Sequence, residues 1–279
     1  MRYISAKQIT ETVRRLCIEA NCSLGTDLRE CINTARQEET WPKAQEILEK
    51  IIENYKLAET RQMPICQDTG MACVFIKLGQ DVHVDGNINE AIHEGVKQGY
   101  TEGYLRKSVV RDPLDRVNTG DNTPAMIYVE LIPGDKIEIT VAPKGFGSEN
   151  MSQIKMLRPS DGVDGVRDFV VRVVEEAGPN PCPPIVVGVG IGGTFDKAAY
   201  MAKKALLRDV DIPNANPFYA ELEQKLLAQI NALGIGPQGF GGKTTALAVN
   251  IETCPTHIAG LPVAVNINCH VTRHKTEVI

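Results

Sequence analysis

No apolar run in this chain comes near the roughly 18 to 20 residues that a helix needs to cross a bilayer. The opening stretch, MRYISAKQITETVRR, also lacks the apolar core of a secretory leader. Both absences point to the cytoplasm. An excess of positive charge is missing too: 30 Lys and Arg stand against 35 Asp and Glu, for a formal net charge of −5. A nucleic-acid partner needs a dense basic face from which to displace counterions, so that class is set aside. Any anionic ligand must then be met by a few local cations. Internal repeats and low-complexity tracts are absent as well. What the chain has is 279 residues, 43% of them hydrophobic and 23% charged, enough for one large domain or two small ones. It also has eight cysteines. In a compartment that keeps thiols reduced these are not four disulfides, and each is core filler, a reactive group or a metal ligand.

Ser5, followed three residues later by Gln8, resembles a capping box, and Ile9, Val13, Leu16, Cys17 and Ala20 then recur at helical spacing. Residues 41–59 predict a second helix. Together these make a helical N-terminal segment over 1–60 followed by a domain over 61–279, the alternative being one continuous domain over 1–279. A strand is expected over 72–79, where Val74, Ile76 and Leu78 alternate with Phe75 and Lys77. MIYVELIPGDKIEITVA reads as a hairpin, with Pro133 and Gly134 at the centre of a type II turn. Helices are expected over 164–178, 195–208 and 218–234, and buried strands at PPIVVGV, TALAVNI and LPVAVNIN. The fold class is α+β: mixed, partly antiparallel sheets with a hairpin, surrounded by helices.

Three motifs compete for attention. GVGIGG (188–193) fits the dinucleotide fingerprint between a strand and a helix, yet the sheet around it reads as partly antiparallel and only Asp209 or Asp211 could serve a ribose. A nicotinamide-dependent dehydrogenase therefore rests on that motif alone. GPQGFGGKTT (236–245) looks like a phosphate loop, but Pro237 stands where the first glycine belongs. Its N–H groups can still hold a carboxylate, or the loop is simply a tight turn. Cys17, Cys22 and Cys31 match neither zinc nor ferredoxin spacing, and Cys73 and Cys254 have nothing around them that favours a ligand role.

Cys66 in PICQDTG, Cys182 in NPCPP and Cys269 at the end of AVNINC remain, each at the margin of an element in a polar or proline-restrained context. Three scattered cysteines are more often structural than functional. Here PICQDTG, VNTGDNTPA, APKGFGSENMSQ, NPCPPIVVGVGIGGTFDKAA, GIGPQGFGGKTTALAV and HIAGLPVAVNINC together resemble the α subunit, or N-terminal half, of class I fumarate hydratases and the related tartrate dehydratases. The likeness covers nearly all of the chain from about residue 60.

The resemblance implies a [4Fe-4S] cluster held by Cys66, Cys182 and Cys269, with one iron open to a substrate hydroxyl and carboxylate. It assigns Gln67, Arg106, Lys144, Gly145 and Gly147 to substrate binding, with Asp68 and His257, twelve residues before Cys269, as catalytic groups. On residue type alone, Asp68 and Thr69 would make a local turn before Gly70, Arg106 would be solvated and His257 packed or exposed. Single-chain relatives continue into a further domain where this sequence stops, so a separate β subunit is expected, in an α2β2 or other oligomer, with no nucleic acid and no membrane involved. APKGFGSEN and GFGGKTT stand close to the fumarase versions, so the dicarboxylate implied is (S)-malate or fumarate, with L-tartrate as the alternative. A non-catalytic iron–sulfur protein, sensing oxygen or carrying electrons, is the rival from another class.

Overall fold

Ser5 does what its position predicts: its hydroxyl accepts the N–H of Gln8 at 3.2 Å and starts the first long helix. The computed structural model describes residues 1–279. In chain order the elements run β1 (Arg2–Ser5), α1 (Ala6–Cys22), α2 (Thr26–Glu38), α3 (Pro42–Arg61), β2 (Met71–Gly79), β3 (Val82–Asp85), α4 (Ile88–Glu102), β4 (Met126–Ile132) and β5 (Ile137–Lys144). They continue with α5 (Phe146–Glu149), β6 (Gln153–Leu157), α6 (Gly162–Ala177), β7 (Ile185–Gly192), α7 (Phe195–Ala205), α8 (Pro217–Ala232), β8 (Ala246–Cys254), β9 (Leu261–Asn268) and β10 (Lys275–Val278). The fold is α+β, and the expected helices and buried strands lie where periodicity put them. No helix is long and apolar enough to cross a membrane.

Two units divide the chain. The first comprises Met1–Leu24, Tyr55–Phe146 and Arg273–Ile279, and the second Gly25–Asn54 and Gly147–Thr272. The helical residues 1–60 thus contribute to both.

In the first unit the sheet has the order β10-β5-β2-β4, with β2 and β4 parallel and the other pairs antiparallel. β1 and β3 make a separate parallel pair. Apolar side chains at period two on the sheet, among them Val74, Ile76, Ile137, Ile139 and Val141, meet the buried stripes of α1 and α4. The hairpin expected over 126–142 does not form. β4 and β5 are sequence neighbours, yet β2 lies between them and takes a ladder from each. The turn at Pro133 and Gly134 is instead bonded to the end of β2: Gln80 N–H donates to Ile132 and Asp81 N–H to Gly134. The physical reason is burial. β2 is enclosed along most of its length and must satisfy backbone groups on both edges, whereas β4 is half exposed and suits an edge.

In the second unit the order is β6-β9-β7-β8, with only β7 and β8 parallel. The central β7 alternates strictly. Ile185, Val187, Val189 and Ile191 enter the core built with α6 and α8, while Gly188 and Gly190 face α7. A Cβ on Gly188 would lie 2.1 Å from the Ala202 carbonyl, and one on Gly190 2.1 Å from that of Ala198. These glycines let a helix rest on the strand, so the dinucleotide-like motif is a packing device here.

Candidate active site

Among the eight cysteines, only Cys66, Cys182 and Cys269 lie outside helices and strands. The others serve as filler or element residues. Cys17 is wholly buried, which pushes its thiol up to about 12, and burial together with Asp27, Asp211 and Glu38 raises Cys31 to about 11. Neither is a thiolate at neutral pH.

In the first unit, residues 62–70 carry the chain from α3 into β2. Ile65 anchors this loop, being buried and donating its N–H to Asn21 at 3.0 Å. The half-buried Cys66 Sγ receives the N–H of Asp68 at 3.4 Å and lies 3.5 Å from Gln67 Oε1. Asp68 is held on both carboxylate oxygens, by Gly70 N–H at 3.0 Å and Phe146 N–H at 2.9 Å, so it makes the local turn and also ties the loop to the end of β5. Lys144 and Gly145 are brought to the same place. Gly70, at φ 74°, has room only for hydrogen, because a Cβ would stand 2.6 Å from the Lys144 backbone. A Cβ on Gly145 would lie 3.3 Å from Asp68 Oδ2. Lys144 is buried, and Arg106 is exposed on a strand-free loop tied in by its own carbonyl, which accepts from Thr69 at 3.2 Å.

Three residues that the sequence did not single out hold this loop. Tyr100 directs its hydroxyl at the carbonyls of Thr69 and Gly70, Asn122 donates to Gly70 at 3.2 Å, and Arg273 Nη2 donates to the carbonyl of Asp68. Asn122 had a signal, the turn-forming DNTP stretch where it takes φ 63°. Tyr100 and Arg273 had none, because their partners are remote in sequence.

In the second unit, Cys182 and Cys269 share one end of the sheet, since Val186 at the start of β7 is paired with Asn268 at the end of β9. Cys182 adopts φ 57°, a strained conformation for a residue with a Cβ. Its N–H donates to Pro179 at 3.0 Å, and Gln238 gives both its backbone N–H and its side-chain amide to the Pro183 carbonyl, at 2.7 and 2.8 Å. His270 Nδ1 stands 3.0 Å from the Cys182 carbonyl and 3.3 Å from the Gln238 side-chain amide nitrogen. Cys269 Sγ receives the N–H of Val271 at 3.3 Å, the same i+2 bond that Asp68 gives Cys66. Gly147 is close by, a Cβ there lying 3.8 Å from the Asn180 carbonyl.

His257 is not brought to these cysteines. It lies in the exposed turn before β9, at the end of the sheet where Ile191 pairs with Val263, its Nδ1 receiving Ala259 N–H at 3.2 Å. The eight residues of β9 separate it from Cys269, about 26 Å at 3.3 Å per residue.

No group of three or more His, Cys, Asp or Glu side chains stands close enough to hold a metal ion together. The donor set nevertheless fits a thiophilic group in its chemistry. Three loop thiols are reachable, two of them accept a backbone N–H as thiolate ligands do, and the buried guanidinium of Arg273, bonded to the carbonyl of Asp68, keeps two nitrogens without partners.

An α+β chain with this set of loop thiols belongs to a known family: residues 10–278 match Fumarate hydratase (Fumerase). It is a hydro-lyase. The putative L(+)-tartrate dehydratase subunit alpha of Methanocaldococcus jannaschii is 45% identical over 274 residues, covering 95% of each chain. The L(+)-tartrate dehydratase subunit alpha of Escherichia coli O157:H7 is 32% identical over 279 residues, 99% of this chain and 92% of that one, and the corresponding protein of Shigella boydii serotype 4 gives the same figures.

Proposed function

We propose that this chain is the iron–sulfur-binding α subunit of a two-component, cytoplasmic hydro-lyase that interconverts (S)-malate and fumarate. The observation that supports it most directly is the position of Cys66, Cys182 and Cys269, alone among eight cysteines in constrained loops beside polar side chains. These three would hold a [4Fe-4S] group, which when bound supplies a Lewis-acidic iron for hydroxyl and carboxylate oxygens. The rest falls to the chain's own residues. Arg106 has the planar fork suited to a carboxylate, and Lys144 adds a second cation. Gly145 and Gly147 carry no Cβ and allow a diacid to approach the backbone. Gln67 offers an amide beside the first thiol. Asp68, oriented by two N–H donors, retains lone pairs with which to take a proton. His257 lies at the opposite end of β9 from Cys269, and this reading assigns it no step.

Relatives named as subunit alpha support the need for a β subunit. The same names favour a second substrate reading, L-tartrate, which differs from malate by one hydroxyl and which a site with a partner for that hydroxyl would distinguish strongly. Chain and β subunit, purified together without oxygen, are expected to hydrate fumarate. Cys182→Ser is expected to lose both the visible absorbance of the cluster and the activity. Full turnover by an iron-free sample would end the proposal, and faster turnover of tartrate than of malate would replace its substrate.

A further inference from the structure

Arg273 is only 5% exposed, and its Nε and Nη1 are enclosed without a hydrogen-bond partner. Its single bond runs from Nη2 to the neutral carbonyl of Asp68. A guanidinium removed from water normally carries an anion with it, because desolvating the charge is costly and a carbonyl returns only part of that cost. The groups around it supply no anion. Tyr100, close enough for its phenol to feel the cation, is itself a donor to Thr69 and Gly70. The carboxylate of Asp68 is turned to Gly70 and Phe146, leaving only its carbonyl to Arg273. What Asp68 does provide is a bridge: its C=O meets the guanidinium while its N–H meets Cys66 Sγ at 3.4 Å.

From this we infer that Arg273 is a positioning residue, the buried counter-charge to the anionic, thiolate-held group at Cys66. The inference rests on the iron–sulfur reading above and deepens it. A substrate carboxylate is a poorer match, since it arrives from solvent and both open nitrogens are closed off from solvent. The guanidinium would act in two ways, by anchoring the carbonyl side of Asp68, the residue whose N–H on the preceding peptide donates to the thiolate, and by placing a positive charge near it. Removing the charge disfavours the more negative, reduced form of the cluster and loosens its hold.

The test uses the full chain, reconstituted without oxygen from ferrous iron and sulfide, as wild type, Arg273→Met and Arg273→Lys. Failure of the wild type to take up iron would overturn the iron–sulfur reading, and this inference with it. With a loaded wild type, Arg273→Met is expected to lose its visible absorbance to a chelator about tenfold faster, the scale at which outer-shell partners act, and to show a lower midpoint potential. Its iron-free form should melt no lower than wild type, because an uncompensated buried charge has gone. Wild-type chelation rate and potential in Arg273→Met would overturn the inference. If that variant does not fold, Arg273→Lys decides. Loss slower than about five times the wild-type rate supports a role for the charge, and faster loss overturns it.

Discussion

Glu39 is an anion held by backbone. It is 2% exposed, its Oε1 accepts Thr40 and Trp41 N–H at 2.9 and 3.0 Å, and its Oε2 accepts Lys243 N–H at 2.7 Å. The loop that resembles a phosphate cradle therefore already holds a carboxylate from its own chain. Gly242 makes this possible, since a Cβ there would fall 2.7 Å from Glu39 Oε2. Burial pushes the carboxyl up, but the N–H groups of Trp41, Lys243 and Thr40 outweigh it and hold Glu39 below its ordinary range. A depressed folded value contributes stability that is complete above the unfolded value and is lost as pH falls through the folded one. Glu39→Gln is thus expected to cost about 2 kcal/mol at pH 7, the scale of charge-assisted bonds, with the gap to wild type closing below about pH 4, where glutamate titrates. Urea unfolding at both pH values checks this, and an equal gap at both would sink it. That a glycine-rich stretch binds an anion was legible from residue type; that the anion is Glu39, some two hundred residues earlier, was not, because nothing local encodes that partner.

Among the elements, β7 shows how much one strand specifies. Its alternation of β-branched residues with glycine sets which face meets α6 and α8 and which meets α7. Gly190→Ala is expected to destabilise the fold by about 3 kcal/mol, as overpacking does, because Ala198 O and Ala202 N stand 2.1 and 2.6 Å from the new Cβ. A denaturation midpoint unchanged from wild type would contradict this packing role. Individual helices and strands were readable because their signals are local: Ser5 caps α1, and β7, β8 and β9 are apolar runs. Pairing was not. A sequence with turn residues between two alternating runs suggests a hairpin, and whether a third strand inserts depends on which strand needs two ladders.

For the molecule as a whole, two units each have their own sheet and apolar core. The chain alone is expected to hold iron without appreciable turnover, and adding the β subunit should restore fumarate hydration; an anaerobic assay with and without that subunit measures it, and full activity from the chain alone would refute the need for a partner. The sequence by itself determined the α+β class, most of the helices and strands, and which three of eight thiols stand apart in proline-rich or turn contexts, because periodicity, capping and backbone restriction act over a few residues. Only the tertiary structure decided that β2 separates β4 from β5, that Cys182 and Cys269 share one end of a sheet whose other end carries His257, and that Arg273 is buried against the Asp68 peptide. Those outcomes depend on contacts between residues far apart in sequence, where many pairings have similar local merit and the choice is made by which one satisfies every buried backbone group and charge together.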